Sequence, residues 1–168
     1  AKKIGYAPGT LYQLFKDLDE LILRVNAGTL DDLYAACNEV DFGKAPESAL
    51  SDLAKCYIEF TSRHPRLWNA LFEHGLPKGR TLPAWYAESV AKLLGLAERA
   101  IQPLFHPSAA DQMRNEARIL WASLYGIGSL ATAGKLGPAT DPLQMVDTLV
   151  CNYLAGLRAR GEHADKAA

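Results

Sequence analysis

The residues best suited to chemistry stand near the start of the chain, where Thr10, Tyr12, Gln13 and Lys16 follow one another closely. Two hydroxyls and a cation suit phosphate oxygens, and a glutamine side chain can bond base edges, so the grouping fits the surface of a nucleic-acid duplex. Lys2, Lys3 and Lys16 make this opening segment basic, with no acid among them, although the whole chain of 168 residues has a net charge of −1. With that balance no global field draws the protein to a polyanion, and any such contact must be local. The same residues also suit an ordinary helical hairpin with its lysines facing solvent. Elsewhere the chemistry is thin. There is no Gly-x-Ser-x-Gly, no His-Glu-x-x-His and no carboxylate pair beside a histidine, so an enzyme is not expected. Cys37, Cys56 and Cys151 are odd in number and far apart in sequence. They read as buried thiols of a reducing compartment, not as a disulfide frame or zinc site. No metal and no cofactor is expected. Gly126-Ile127-Gly128-Ser129-Leu130-Ala131 fits Gly-x-Gly-x-x-Ala. It lies inside a helical pattern with no strand before it, which argues against a dinucleotide loop.

The elements that must position these residues are helices. Apolar residues recur at helical spacing nearly everywhere and no strand pattern survives, so the fold class is all-α. The opening segment predicts a helix ending at Gly5, a tight turn over Tyr6-Ala7 and a second helix over 8–15: a helix-turn-helix whose small residues Ala7, Pro8 and Gly9 permit close approach to a groove. Asp17 and Glu20 form a capping-box pattern that starts a helix to about Val40. Further helices are expected from Pro46, broken at Pro65; over 65–74, stopped by Gly75; over 83–105; from a weaker cap at Ser108 to about Leu136; and from Asp141-Pro142 to about Gly161, followed by a frayed tail. Composition, 49% apolar, allows one compact domain with a sizeable core or a small module attached to a larger one. The absence of a long apolar run or charged leader leads us to expect a cytoplasmic protein with no membrane partner.

Aromatic residues gather on the central helices. Tyr57 and Phe105 are among them, and Phe60, Trp68, Phe72, Trp85, Tyr86, Trp121 and Tyr125 are candidate walls of an apolar pocket, with Glu73, His74 and Tyr125, and secondarily Asn69, as polar anchors. Each aromatic would equally serve as plain core. The last two long helices carry Leu124, Gly128, Ala131, Val150, Tyr153 and Leu157 on apolar stripes, and small residues such as Ala122 and Gly126 allow close helix approach. These are the candidate dimer interface, a four-helix bundle across a two-fold axis.

The run from Ala1 to Leu21 resembles the DNA-binding signature of TetR/AcrR transcriptional regulators. Ala1, Gly5, Gly9, Thr10, Leu11, Tyr12, Phe15 and Leu21 match it, and Asp19 matches by charge. The resemblance implies that Thr10 and Tyr12 touch phosphates while Pro8, Gly9 and Gln13 face the groove, with Ala7 and Lys16 beside them. Ala7 stands where the family usually has a capping Ser, Leu14 where it has His or Tyr, and Leu18 where it has a phosphate-directed Lys. The segment from His64 to Pro77 is similar to the subgroup of this family named for a Trp-His-Gly pattern. The family has a first helix and most of a second ahead of the position of Ala1, so the natural chain is expected to be longer. Taken together, the resemblance implies a partial helix-turn-helix domain with its connecting helix over 1–40 and a ligand-binding and dimerisation domain over 41–168. Its partners would be a double-stranded DNA operator, a small apolar effector and a second copy of the chain, and its output most often repression. The alternative is a helical dimer that binds or sequesters a small molecule without touching DNA.

Overall fold

The computed structural model describes residues 13–73, 75 and 79–167, with side chains to residue 160. Among the described residues the fold is all-α, as the periodicity predicts: six α-helices and two short 3-10 turns. Of the expected recognition helix Gln13, Leu14 and Phe15 fall within the described residues; Gln13 and Leu14 are helical, and Phe15 already lies past the helix end.

Helix α1 (Leu18–Asn38) begins where its capping pattern predicts. The Glu20 amide donates to the Asp17 carboxylate at 2.9 Å, and the Glu20 carboxylate accepts from the Lys16 amide at 3.0 Å. Two otherwise unpaired amides are thereby satisfied at the helix start. Leu23, Ala27, Leu30, Leu33 and Cys37 recur every three or four residues and are all buried, so one face of α1 belongs to the core along its whole length. Asn26 sits on that face too, and its amide nitrogen donates to the Ala70 carbonyl at 3.3 Å.

Helix α2 (Pro46–Arg63) is the hub. Ala49, Leu50, Leu53, Ala54, Tyr57, Ile58, Phe60 and Thr61 are buried on a face too wide for one neighbour. It ends before Pro65, which opens the short α3 (Pro65–Glu73) with Trp68 and Leu71 buried. Helix α4 (Ala84–Ile101) passes into a 3-10 turn over Gln102–Leu104 instead of remaining α-helical to Phe105, because Pro103 cannot donate to the ladder. The expected cap at Ser108 is also displaced. Ser108 lies in a 3-10 turn (Pro107–Ala109), and its own amide donates to the His106 ring. Helix α5 (Ala110–Thr132) therefore starts without a side-chain cap.

Helix α5 stops short of Leu136. Gly134 takes φ +66°, and the Gly134 and Lys135 amides donate back to the Ala131 and Leu130 carbonyls. This is the left-handed ending that glycine accommodates without a Cβ clash. Asp141 caps α6 (Pro142–Ala167) as expected, accepting from the Leu143 amide at 2.9 Å. That helix continues past Gly161, since a single glycine followed by Glu162, His163 and Ala164 costs a helix only about 1 kcal/mol.

Helix α2 packs against α1, α4, α5 and α6; α1 lies along α4 and touches α3; α4 packs on α5 and α5 on α6. One hydrophobic core runs from Leu23 to Leu157. Polar links fasten its rim. Asp147 of α6 takes Lys55 at 2.8 Å and the Ser51 hydroxyl at 2.9 Å, and Arg158 pairs with Glu47. The cysteines divide three ways: Cys37 is buried, Cys56 half-buried and Cys151 exposed. The expectation of three buried thiols is corrected at Cys151, which lies on the outer face of α6.

Candidate functional site

Two features adjoin α1, one at each end. At its start, Arg80, from the segment leading into α4, reaches both Asp17 and Asp19. One guanidinium thus binds two carboxylates of the first turn of α1. Beside it the Arg24 guanidinium lies 4.2 Å from the ring centroid of Trp85, a cation–π contact to the first turn of α4. The Arg80 guanidinium, helped by the Glu20 amide, holds the Asp17 carboxyl below its usual range. A lowered carboxyl pKa makes this joint intact above the ordinary carboxylate range, and it loosens as pH falls through the lowered value.

Toward its other end, Cys37 of α1 meets Tyr57 and Leu53 of α2, Leu93 and Ala97 of α4, and Trp121 and Leu124 of α5 around a cavity of about 40 Å³. That holds a water or two, well below the space of a typical effector pocket. The lining is apolar except at Tyr57, whose hydroxyl is buried without a hydrogen-bond partner among the described residues. Burial pushes its pKa up, so the hydroxyl stays protonated and able to donate. Trp68 Nε1 and Asn26 Oδ1 are likewise buried and unpartnered. A buried hydroxyl without a partner costs free energy that its removal recovers. Tyr57→Phe is therefore expected to leave the melting temperature unchanged or raise it; a clear drop would reveal a partner, such as an enclosed water.

The eight candidate pocket residues fall into separate groups. Trp68, Phe72, Trp121 and Tyr125 form one aromatic cluster, with Phe72 and Tyr125 centroids 4.1 Å apart and Trp68 and Phe72 5.1 Å apart. Tyr57 joins it edge-on to Trp68 at 5.1 Å. Only Trp121 of the eight lines the cavity. Phe60 packs beside His64, while Trp85 and Tyr86 pair with each other near Arg24. Phe72 is 41% exposed and Glu73 is exposed, so Glu73 anchors nothing inside. Asn69 is exposed as well. His74 lies outside the described residues. The sequence reading missed Cys37, Leu53, Leu93 and Ala97 as walls and named Tyr57 only among the central aromatics, because nothing in helical periodicity separates a cavity wall from core.

The candidate interface residues are also redistributed. Leu124, Gly128, Val150 and Leu157 are buried in the chain's own core and offer nothing to a partner. A Cβ on Gly128 would meet Thr61 Oγ1 at 3.3 Å and Ile58 Cδ1 at 3.6 Å, so its close approach is to α2. The Tyr153 hydroxyl donates to Glu116 of the same chain, to the carbonyl at 2.7 Å or the carboxylate at 2.8 Å, and Arg160 completes the link at 3.0 Å. Ala131 is half-exposed. An apolar stripe identifies the inward face of a helix, and here that face meets α2. The outer faces carry Ile119, Ala122 and Leu130 on α5 and Cys151, Ala155 and Gly156 on α6, all exposed.

Of the candidate DNA-contacting residues, Gln13 and Lys16 are exposed. Ala7, Pro8, Gly9, Thr10 and Tyr12 lie outside the described residues. Among the described residues no group of side chains could hold a metal ion, and no helix is long and apolar enough to cross a membrane.

Over an aligned stretch of 168 residues the chain is 25% identical to an uncharacterized HTH-type transcriptional regulator, Rv0681, of Mycobacterium tuberculosis (strain ATCC 25618 / H37Rv); the match spans 99% of this chain and 74% of that protein. Its fold matches that of a protein of unknown function from Rhodococcus sp. RHA1, with TM-score 0.72, 18% identity, and 94% of this chain and 82% of that one covered. It also matches that of SCO4313, described as a regulatory protein, with TM-score 0.72, 20% identity, and 92% and 82% covered. Residues 50–153, running from α2 to α6 and so through every wall of the cavity but Cys37, match the family described as tetracyclin repressor-like, C-terminal domain. The N-terminal resemblance and this match over more than half of the chain agree: the protein belongs to the tetracyclin repressor-like family.

Proposed function

We propose that the protein is a one-component transcriptional regulator, acting as a repressor, that binds a near-palindromic operator as a homodimer and is released by a small effector. The observation that carries this reading is α1 itself. It starts at the end of the helix-turn-helix-like segment, is clasped there by Arg80, and places Cys37 in the cavity wall toward its other end. A helix of 21 residues spans about 31 Å at about 1.5 Å per residue. It can therefore convert a small displacement at the cavity into a larger tilt of a recognition helix. Half-sites read by a dimer lie about 34–36 Å apart, so such a tilt spoils both contacts together. The division of labour follows α1: residues 1–40 read DNA, and residues 41–168 sense the effector and dimerise.

The effector is mainly apolar with one hydrogen-bonding group for the Tyr57 hydroxyl, and it binds by widening the cavity. Its aromatic cluster, above all Trp68, Phe72, Trp121 and Tyr125, forms the neighbouring wall. Dimerisation uses the outer faces of α5 and α6, where Ile119, Ala122, Leu130, Ala155 and Gly156 permit close packing. The protein acts in the cytoplasm and carries out no catalysis.

A mobility-shift titration of the full-length protein on its own upstream DNA tests the reading, with Tyr12→Phe alongside. The expected outcome is a specific shift, weakened by Tyr12→Phe about equally on all sequences, as for a lost phosphate contact. A changed operator preference in Tyr12→Phe would assign that residue to base readout. The absence of any shift would leave a ligand-sequestering dimer.

A further inference from the structure

Cys37 and Cys56 are separated by 19 positions in sequence, yet α1 and α2 bring their sulfur atoms to 3.5 Å, the Cys37 thiol donating to Cys56 Sγ. Cys37 is 1% exposed, whereas Cys56 is reached by solvent. Disulfide bond length is about 2.0 Å, so closure needs the sulfurs to approach by about 1.5 Å. We propose that Cys56 and Cys37 are a peroxide-reactive pair, Cys56 attacking and Cys37 resolving, that closes into a disulfide joining α1 to α2.

The pair divides the two tasks by environment. Accepting the Cys37 hydrogen bond, with the Arg63 charge as a smaller help against burial and Glu59, brings the Cys56 thiol down to about 7. The Cys37 thiol, a donor in that bond and buried, is pushed up. A partly ionised, accessible thiol next to a second thiol is the arrangement that oxidants select. The oxidant is a hydroperoxide. Cys56 thiolate attacks its outer oxygen, an S–O bond forms as the O–O bond breaks, and a proton from solvent completes the alcohol or water that leaves. Cys56 is now a sulfenic acid, oxidised by two electrons. Cys37 sulfur then attacks Cys56 Sγ; the S–S bond forms, the S–O bond breaks, and hydroxide leaves with the Cys37 proton as water. In sum two thiols and one hydroperoxide give a disulfide, an alcohol or water, and water.

The bond would fasten the C-terminal part of α1 to the middle of α2 and remove a thiol from the cavity wall. The inference stands on the thiol geometry and is independent of whether the protein binds DNA.

The test uses the full-length chain with Cys151→Ser, which removes the exposed third thiol and its intermolecular chemistry. After stoichiometric hydrogen peroxide, the Cys37 and Cys56 thiols should both be lost to a thiol reagent and be recovered with dithiothreitol. Non-reducing tryptic mapping should yield peptide 25–44 joined to peptide 56–63, two hydrogens lighter than their sum. Adding Cys56→Ser, at the half-exposed position, should abolish the joined peptide and leave Cys37 titratable as a free thiol. Cys37 and Cys56 recovered as free thiols in the treated protein, or Cys56 found only as sulfinic acid with Cys37 reduced, would overturn the proposal.

Discussion

Gly128→Leu is expected to damage the fold and to spare the association of whatever remains folded. The glycine faces α2, where an added Cβ already meets Thr61 Oγ1 at 3.3 Å and Tyr57 Cε1 at 3.7 Å. Three further carbons have nowhere to go without moving a helix. Overpacking of this kind costs roughly 1–3 kcal/mol or more. At about 2–4 °C per kcal/mol for a chain of this size, the melting temperature should fall by roughly 2–12 °C. Gly156→Arg is the opposite experiment. Nothing stands within 4 Å of a Cβ there, so the isolated chain accommodates it. If the outer faces of α5 and α6 meet across a two-fold axis, the new side chain occurs twice in a small-residue seam and the dimer should dissociate. Analytical ultracentrifugation paired with thermal melts separates the two effects. A Gly156→Arg variant that remains dimeric would move the interface off this face, and a Gly128→Leu variant that melts normally but sediments as a monomer would restore the inner residues to it.

Reversing the charge at the joint should uncouple the two ends of α1. In Arg80→Glu the carboxylates of Asp17 and Asp19 lose their shared guanidinium and face a third negative charge. Asp17 still caps the helix through the Glu20 amide, so α1 should form as before. The link between its start and the segment leading into α4 is what disappears. Fluorescence anisotropy with and without effector reads the result. Ligand-free operator affinity should change little, while the ratio of the two affinities should contract by on the order of tenfold, within the range found for residues that carry coupling between sites. Equal loss of both affinities with the ratio preserved would mean that Arg80 merely steadies the DNA-reading segment.

The helices were legible because most of them carry their own punctuation. Asp17, Pro46, Pro65 and Asp141 start them, and Pro103 and Gly134 end two of them early for local reasons. The partner of each apolar stripe was not legible. Residues spaced three and four apart say that Leu124, Val150 and Leu157 are buried; only the wide face of α2 decides that they are buried within one chain. The site was legible in part. Trp68, Phe72, Trp121 and Tyr125 do converge, since aromatic rings on crossing helices find one another. Tyr57 could be named only as one central aromatic and Cys37 stayed hidden, because their roles rest on what is missing around a hydroxyl and on one contact between helices far apart in sequence.

The small cavity also bears on time. If effectors enter between α1, α2, α4 and α5, they cannot dock into space already present, because about 40 Å³ is filled by a water or two. Association then waits for the helices to part, and binding that requires such a change is slower than typical diffusional encounter. The apparent affinity is divided by the fraction of time the cavity stands open. A brief pulse of effector would go largely unanswered, whereas a sustained one would be registered and then held, since the same helices must part again before it leaves. Packing density around Tyr57 would thus act as a filter on how long a signal must last.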